Sequence, residues 1–377
     1  MHRLVALTLP GGPDFVTALR RTWDDGDAAF VLDARLPAPA TRRVLDAIAP
    51  ALLRTSTGDE TLPGSRPVEP GDALVVATSG TSGEPKGVVL THAAVVTSAH
   101  ATSARIGVRD DDHWLACLPL AHVGGLAVVT RALALGTPLT VLPGFDPDAV
   151  AASPATLVSL VATAVARVDP TRFRVIVLGG ASPPQNRPAN CVTTYGMTET
   201  GSGVVYDGLP LDGVEVRLGR DGEIHLRGPM LLRAYRDGTD PKDAAGWLPT
   251  GDLGTWDGQR LVVHGRRGDM IITGGENVWP DAVERALADM PGVAELAVAG
   301  RPDAEWGARV VAFVVPADRA APPTLDDLRA QVKKSLPAFC APRQLVLVDS
   351  LPRTNLGKVR RSALGAVGEI GTGQHDR

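Results

Sequence analysis

The chain reads as an α/β protein, with a large amino-terminal domain of layered sheets that includes a small β subdomain, followed by a small α+β domain. Three observations predict this. Apolar strand-like and helix-like segments alternate from residue 72 to residue 178, which is the pattern of strands and crossover helices in layered α/β folds. Short alternating runs with close turns fill residues 207–263, as in a hairpin-rich β subdomain. Residues 269–377 have a strand and helix alternation of their own, enough for a separate small domain. The expected division is therefore 1–268 and 269–377, with the hinge at Asp269.

In chain order, residues 1–70 are weakly patterned, with helical stretches at 13–23 and 40–53 and a Pro/Gly-rich connector, and are expected to form a short amino-terminal cap. Residues 73–77 form an apolar strand that enters a Ser/Thr/Gly cluster. Gly87-Val-Val-Leu90 is a second strand, and Thr91 is a helix N-cap, since its hydroxyl can accept from the first unpaired helical N–H groups. Strands at 114–119, 138–142 and 174–178 then alternate with helices at 124–135 and 154–168. After the β subdomain come a helix at 280–289, strands at 295–299 and 309–315, a helix at 324–335 and a strand at 344–348.

Composition narrows the function classes. A chain of 377 residues with 44% hydrophobic and 21% charged residues buries a substantial core and is not intrinsically disordered. Its net charge of -4 gives no electrostatic reason to expect nucleic acid or a membrane surface as partner. No apolar run approaches the roughly 20 residues of a membrane span, and the first residues lack the pattern of a signal peptide. Cys117, Cys191 and Cys340 are odd in number and widely spaced, so a reducing, cytoplasmic setting is expected rather than a disulfide framework or zinc site. Lysine occurs only at Lys86, Lys242, Lys333, Lys334 and Lys358, while arginine supplies nearly all positive charge. Lys242, Lys333 and Lys334 read as solvated surface.

The segment Thr78-Ser-Gly-Thr-Ser-Gly-Glu-Pro-Lys-Gly87 is the strongest chemical signal. Gly80, Gly83 and Gly87 allow close backbone approach to an anion. Thr78, Ser79, Thr81 and Ser82 add hydroxyl donors, and Lys86 adds a point charge. Such a loop suits a polyphosphate, although a flexible surface loop has the same composition. It is not a Walker A loop, because Gly87 follows the lysine.

This decapeptide resembles the phosphate-binding signature of the adenylate-forming superfamily, which includes acyl-CoA synthetases. Four further segments match in order: Thr193 to Thr200 (TTYGMTET) resembles the adenine and magnesium motif, Thr250 to Gly254 (TGDLG) the ribose motif, Gly265 to Asp269 (GRRGD) the hinge, and Pro352 to Lys358 (PRTNLGK) the catalytic-lysine loop. The resemblance implies an ATP site of Thr78, Ser79, Gly80, Thr81, Ser82, Gly83, Lys86, Tyr195, Thr198, Asp252, Arg266 and Lys358. Glu199 would hold Mg²⁺, and Lys358, Glu199, Thr198 and Lys86 would be the catalytic set. Each has a plainer alternative: Tyr195 packs in the core, Glu199 is a loop acid, Asp252 forms a turn. Coenzyme A is the implied cosubstrate, with Gly274 and Gly275 at its channel, and the small domain is expected to be mobile about Asp269.

The local sequence is similar to the o-succinylbenzoate–CoA ligases of menaquinone biosynthesis, especially their short actinobacterial form, in Tyr195 to Gly203, Val205 to Leu211, Val158 to Thr163 and Leu178 to Ser182. This implies activation of the succinyl carboxylate of an aromatic dicarboxylate. The acyl side is expected to comprise His122, Ser159, Thr163, Arg167 and Gly180. Ser159, Thr163 and Arg167, spaced i, i+4, i+8 on the expected helix at 154–168, would line one polar stripe. The alternative is that the two hydroxyls bond back to helix carbonyls and Arg167 caps the helix. The alternative for His122 is a structural histidine beside its apolar neighbours. The region before the phosphate loop is shorter than the resemblance leads one to expect. Substrates are small molecules, with no nucleic acid and no membrane insertion, and a homodimer is compatible. Two other readings stay open: a ligase for another aryl or medium-chain acid, and an inactive nucleotide-binding protein of the same fold.

Overall fold

The computed structural model describes residues 2–79, 85–180, 186–353 and 359–366. It divides into two compact units. One holds Met1–Arg217, His225–Pro249 and Gly258–Leu261, and the other Leu218–Ile224, Thr250–Asp257 and Val262–Arg377. The division thus falls before residue 269, and the smaller unit takes in two earlier segments.

The larger unit contains two seven-stranded sheets. In the first, Leu4–Leu7 lies between Ala28–Val31 and Leu52–Thr55, all parallel, and Ala28–Val31 pairs in parallel with Asp72–Ser79. The amino-terminal residues are therefore the middle of a sheet and not a cap. Their apolar runs LVAL and AAFV are too short to show periodicity, but continuous apolar runs are what parallel strands covered on both faces require. Asp72–Ser79 then turns back antiparallel onto Pro85–Thr91, whose other edge is closed by Ala234–Tyr235.

The second sheet has Trp114–Ala116, Leu157–Leu160, Val175–Leu178 and Cys191–Gly196 as neighbouring parallel strands, with Gly203–Tyr206 folded back antiparallel. Two helices complete the layers. His92–Ile106 packs on the strands of the first sheet and Val123–Leu135 on those of the second, and the helices pack on each other. Thr91 caps the former as expected, accepting from Ala94 N at 3.1 Å, and Gly107 ends it at φ 60°. Val123–Leu135 is mostly apolar and buries Gly125, Leu126, Val128, Val129, Thr130, Arg131 and Ala132, as a helix covered on most of its surface does.

The expected helix at 154–168 is not formed as a whole. Leu157–Leu160 is a buried strand between Val175–Leu178 and Trp114–Ala116, and only Ala162–Val165 is helical. A short apolar run fits either period, and here pairing on both edges decides for the strand. Ser159, Thr163 and Arg167 consequently do not share a helix face.

Between residues 215 and 266 a four-stranded sheet forms in the order Glu215–Leu218, Glu223–Arg227, Leu248–Asp257, Arg260–Arg266, matching the expected β subdomain. The smaller unit has a five-stranded sheet centred on Gly307–Pro316, which pairs antiparallel with Val293–Asp303 over its full length and parallel with Gln344–Leu347. The helices Pro280–Leu287 and Leu325–Val332 supply Val283, Leu287, Leu328 and Val332 to its core.

Gly87 also has a packing role. A Cβ there would stand 2.7 Å from Ile48 Cδ1, 2.8 Å from Arg236 Cβ and 2.9 Å from Val75 Cγ1. The Arg236 guanidinium in turn donates to Ile48 O at 3.0 Å, Pro67 O at 2.7 Å and Arg66 O, and burial draws its pKa down to about 10. Lys242 also departs from the solvated reading: its Nζ donates to Leu232 O at 2.8 Å and Arg233 O at 3.1 Å and pairs with Asp240 at 2.7 Å. Gly87→Ala is expected to destabilise the larger unit by about 1–3 kcal/mol through overpacking, read as a lower midpoint in thermal or urea unfolding; an unchanged midpoint would show that the three neighbours yield freely.

Candidate active site

Four neighbouring parallel strands of the second sheet open at one carboxyl edge, which is where open α/β sheets hold ligands. The residues expected at the site follow these strand ends in order. His122 comes after Trp114–Ala116, Thr163 after Leu157–Leu160, Gly180 after Val175–Leu178, and Thr198 with Glu199 directly after Cys191–Gly196. Gly180 has φ 90°, and a Cβ would lie 3.3 Å from Val161 Cγ1, so adjacent strand ends approach closely there. Tyr195 lies in the last of these strands beside a register shift at Tyr195/Gly196.

Thr198–Thr200 is a single 3-10 turn. Thr200 Oγ1 receives Met197 N at 2.9 Å and donates within the turn, which fixes it, and Glu199 is buried at 9% exposure. Its Oε1 accepts a hydrogen bond from Tyr235 Oη at 3.0 Å. The Tyr235 ring lies 5.2 Å from the ammonium of Lys86. Lys86 is exposed and stands opposite Thr78 in the strand register. The structure thus gathers Lys86 and Glu199 around Tyr235, a residue the sequence reading missed. Tyr235 belongs to a two-residue strand with no motif of its own, so its register opposite Val88 is the signal that places it. Gly80, Thr81, Ser82, Gly83 and Lys358 lie outside the described residues, as does the side chain of Ser79.

In the smaller unit, Asp252 is buried at 8% exposure and pairs with Arg266, Nε to Oδ1 at 3.2 Å. Its backbone is held by Thr250, whose hydroxyl receives Asp252 N at 3.1 Å and donates to Ile224 O at 2.8 Å. Glu223 joins Gly251 N at 3.0 Å to Arg267 at 2.8 Å. Asp269 pairs with Arg361 at 3.5 Å, which also binds Asp281 and Glu284. Gly274 is required sterically: at φ 59°, a Cβ would be 2.8 Å from Trp306 Cε3. Gly275 follows with φ 83°.

On the acyl side the expected residues separate. Ser159 is buried within its strand, Thr163 is exposed on the short helix, and Arg167 is exposed with its guanidinium 5.2 Å from the Phe145 ring. A different cation is buried. Arg131, 3% exposed on Val123–Leu135, donates Nη2 to Ser202 Oγ at 3.1 Å and stacks over Trp114 at 5.0 Å. Its Nε and Nη1 have no hydrogen-bond partner, and burial lowers its pKa. Ser202 lies just past the Glu199 turn and Trp114 is the first residue of the strand Trp114–Ala116, so this cation sits between that turn and the start of that strand. Sequence reading passed over it because one arginine in an apolar helix resembles an ordinary helix charge.

Comparison with known proteins places these features in a family. Residues 33–236 match the model of the AMP-binding enzyme family and residues 282–358 that of the AMP-binding enzyme C-terminal domain. The chain belongs to the AMP-binding enzyme family. It is 40% identical over 361 residues to a probable 2-succinylbenzoate–CoA ligase of Mycobacterium tuberculosis, covering 86% of this chain and 93% of that one. It is 34% identical over 334 residues to the 2-succinylbenzoate–CoA ligase of Bacillus cytotoxicus, covering 77% and 69%. The o-succinylbenzoate CoA synthetase of Bacillus subtilis, solved with the acyl-adenylate intermediate OSB-AMP, superimposes with a TM-score of 0.86 at 28% identity, covering 97% of this chain and 89% of that one. The same synthetase has also been solved with ATP and a magnesium ion. No helix among the described residues of this AMP-binding enzyme is long and apolar enough to cross a membrane.

Glu199 fits a magnesium ligand in this AMP-binding enzyme. Its carboxylate is held by the neutral hydroxyl of Tyr235, which leaves its charge for a hard cation, and Mg²⁺ commonly takes one or two carboxylates together with phosphate oxygens. Among the described residues no group of three or more His, Cys, Asp or Glu offers an all-protein metal cage. His122 behaves as a neutral ring, because burial takes its pKa down to about 4 against the weaker pull of Asp33. The unfolded chain therefore takes up this proton first. The contribution of His122 to stability is expected in full above about pH 6.5 and to be lost as the pH falls through about 4, a loss that unfolding curves of His122→Asn should lack.

Proposed function

We propose that this AMP-binding enzyme is a 2-succinylbenzoate–CoA ligase of menaquinone biosynthesis, an AMP-forming acid–thiol ligase. The observation that carries the reading is the shared carboxyl edge of four parallel strands, after which Gly180, Glu199 and the His122 turn follow in one region of one unit. The first half-reaction joins an oxygen of the succinyl carboxylate to the α-phosphorus of ATP and expels pyrophosphate. In the second, the sulfur of coenzyme A bonds to the acyl carbon and AMP leaves.

Thr78, Ser79, Gly80, Thr81, Ser82, Gly83 and Lys86 are assigned to the phosphates, with Lys86 steadied by the face of Tyr235. Tyr195 is assigned to the adenine, Thr198 to a phosphate, and Asp252 with Arg266 to the ribose. Glu199 would hold Mg²⁺, which supplies charge neutralisation on phosphate oxygens. Lys358 stabilises the charge that spreads over oxygens during adenylation. Rotation of the small domain about Asp269 would then withdraw Lys358 and bring Gly274 and Gly275 to coenzyme A.

His122, Ser159, Thr163, Arg167 and Gly180 make up the acyl assignment, and Arg131 joins it. An aromatic carboxylate that does not react must be held as an anion. A desolvated guanidinium with two unpartnered N–H groups meets that need better than the exposed Arg167. A homodimer in a cytoplasmic setting is the working form of this reading.

ATP–pyrophosphate exchange across a panel of acids is the primary test. Exchange with 2-succinylbenzoate supports the reading, exchange with benzoate or fatty acids alone replaces it with the broader ligase, and no exchange favours a binding protein. Lys358→Ala should abolish adenylation and retain thioester formation from supplied acyl adenylate; equal loss of both would count against its assignment. Arg131→Met, an apolar change at a buried cation, should raise KM for the dicarboxylate roughly tenfold to a hundredfold. It should leave the analogue without the aromatic carboxylate unaffected, and equal effects on both would remove Arg131 from the acyl site.

A further inference from the structure

His122 stands at the start of Val123–Leu135, with its backbone N–H on Pro119 O at 3.2 Å. The charged groups facing its ring are Asp33 and Arg35, from the loop between the strand Ala28–Val31 and the helix Ala38–Ile48. Asp33 is committed to Arg35. Its Oδ1 receives Arg35 Nε at 2.8 Å and Arg35 N at 3.0 Å, and its Oδ2 receives Arg35 Nη2 at 2.8 Å. This ion pair is rigid, since a planar guanidinium is gripped through two nitrogens and the acid also closes its own backbone turn.

Arg35 Nη2 also lies 3.4 Å from His122 Nε2. A guanidinium carries donors and no acceptor, so a hydrogen bond here requires a lone pair on that ring nitrogen. The rival partner, Asp33 Oδ2, is 3.7 Å from the same nitrogen, beyond good hydrogen-bond length. We infer that Arg35, locked in place by Asp33, is a positioning residue that holds His122 in the tautomer with its proton on Nδ1. His122 then has a single ring donor, Nδ1–H, available to an oxygen of the acid substrate, and cannot give a proton from Nε2. The tautomer stands on its own geometry, and its use toward the acid rests on the acyl assignment of His122 made above.

The test uses the full chain with ¹⁵N-labelled histidine, the His122 signals being identified by their loss in His122→Asn. At neutral pH the expected spectrum has a protonated Nδ1 and an unprotonated Nε2. Arg35→Ala should shift both signals toward a tautomer mixture, and Arg35→Gln, whose amide can still donate to Nε2, should restore them. A protonated Nε2 in the unmodified protein, donating toward Asp33, overturns the inference. So does a spectrum unchanged in Arg35→Ala.

The kinetic arm measures KM for 2-succinylbenzoate and for ATP. Arg35→Ala should raise the first roughly tenfold and leave the second within about twofold, with recovery in Arg35→Gln. The double variant with His122→Asn should be no worse than His122→Asn alone. If His122→Asn leaves KM for the acid unchanged while the tautomer result holds, the acyl assignment of His122 fails and the positioning role of Arg35 stands.

Discussion

Parallel pairing of Leu157–Leu160, Val175–Leu178 and Cys191–Gly196 is the constraint on which the site depends. Parallel neighbours must all finish on the same side, so the turns that follow them are brought together without any contact between those turns having to provide the free energy. The strands are held from both faces by apolar neighbours, including Leu115, Val158, Ile176 and Leu178 in one core. Features that need firm support can then be carried at the rim: a positive-φ turn at Gly180, which glycine adopts without strain, and a buried carboxylate at Glu199. The buried carboxylate costs solvation locally, and it is tolerated because the sheet below it is stable.

Charge at the rim is arranged by sign and by hydration. Glu199 meets a phenol, not a cation, while Lys86 meets the ring face of the same phenol. Tyr235 thus keeps a lysine and a glutamate close without letting them neutralise each other directly. Elsewhere the chain does the opposite. Asp72 is engaged by Arg233, and Asp112 by Arg174 and Thr156, both at or just before the amino ends of their strands and not at the carboxyl ends. Closed ion pairs fasten loops to the sheets, and open charges are kept for the rim.

Much of this was legible in the sequence, for physical reasons that differ by residue. Thr91 was readable because an N-cap needs a hydroxyl at one position relative to one helix. The strand Val175–Leu178 was readable because an uninterrupted β-branched run between polar turns has few other uses. Ser159 was misplaced because LVSL satisfies a helical period as well as a strand, and only pairing on both edges separates them. Gly87 was read for close approach of an anion, and the packing that also requires its missing side chain could not be seen, because the atoms that crowd it, from Ile48 and Arg236, are remote in sequence. Tyr235 and Arg131 carry no local signature at all, since their roles arise from partners about 36 and 71 positions away. Lys242 was read as solvated surface because a lone lysine has no local signature, yet three oxygens hold it.

The closure of the first sheet by Ala234–Tyr235 also has a consequence for biosynthesis. Until residue 236 has left the ribosome, the hairpin strand Pro85–Thr91 has an open edge, and Gly87 O and Val89 O lack the donors that Arg236 N and Arg233 N later supply. At ordinary translation speeds that interval is on the order of ten seconds. An apolar strand edge left unpaired so long is a template for misassociation, so its closure late in the chain ends a period of exposure.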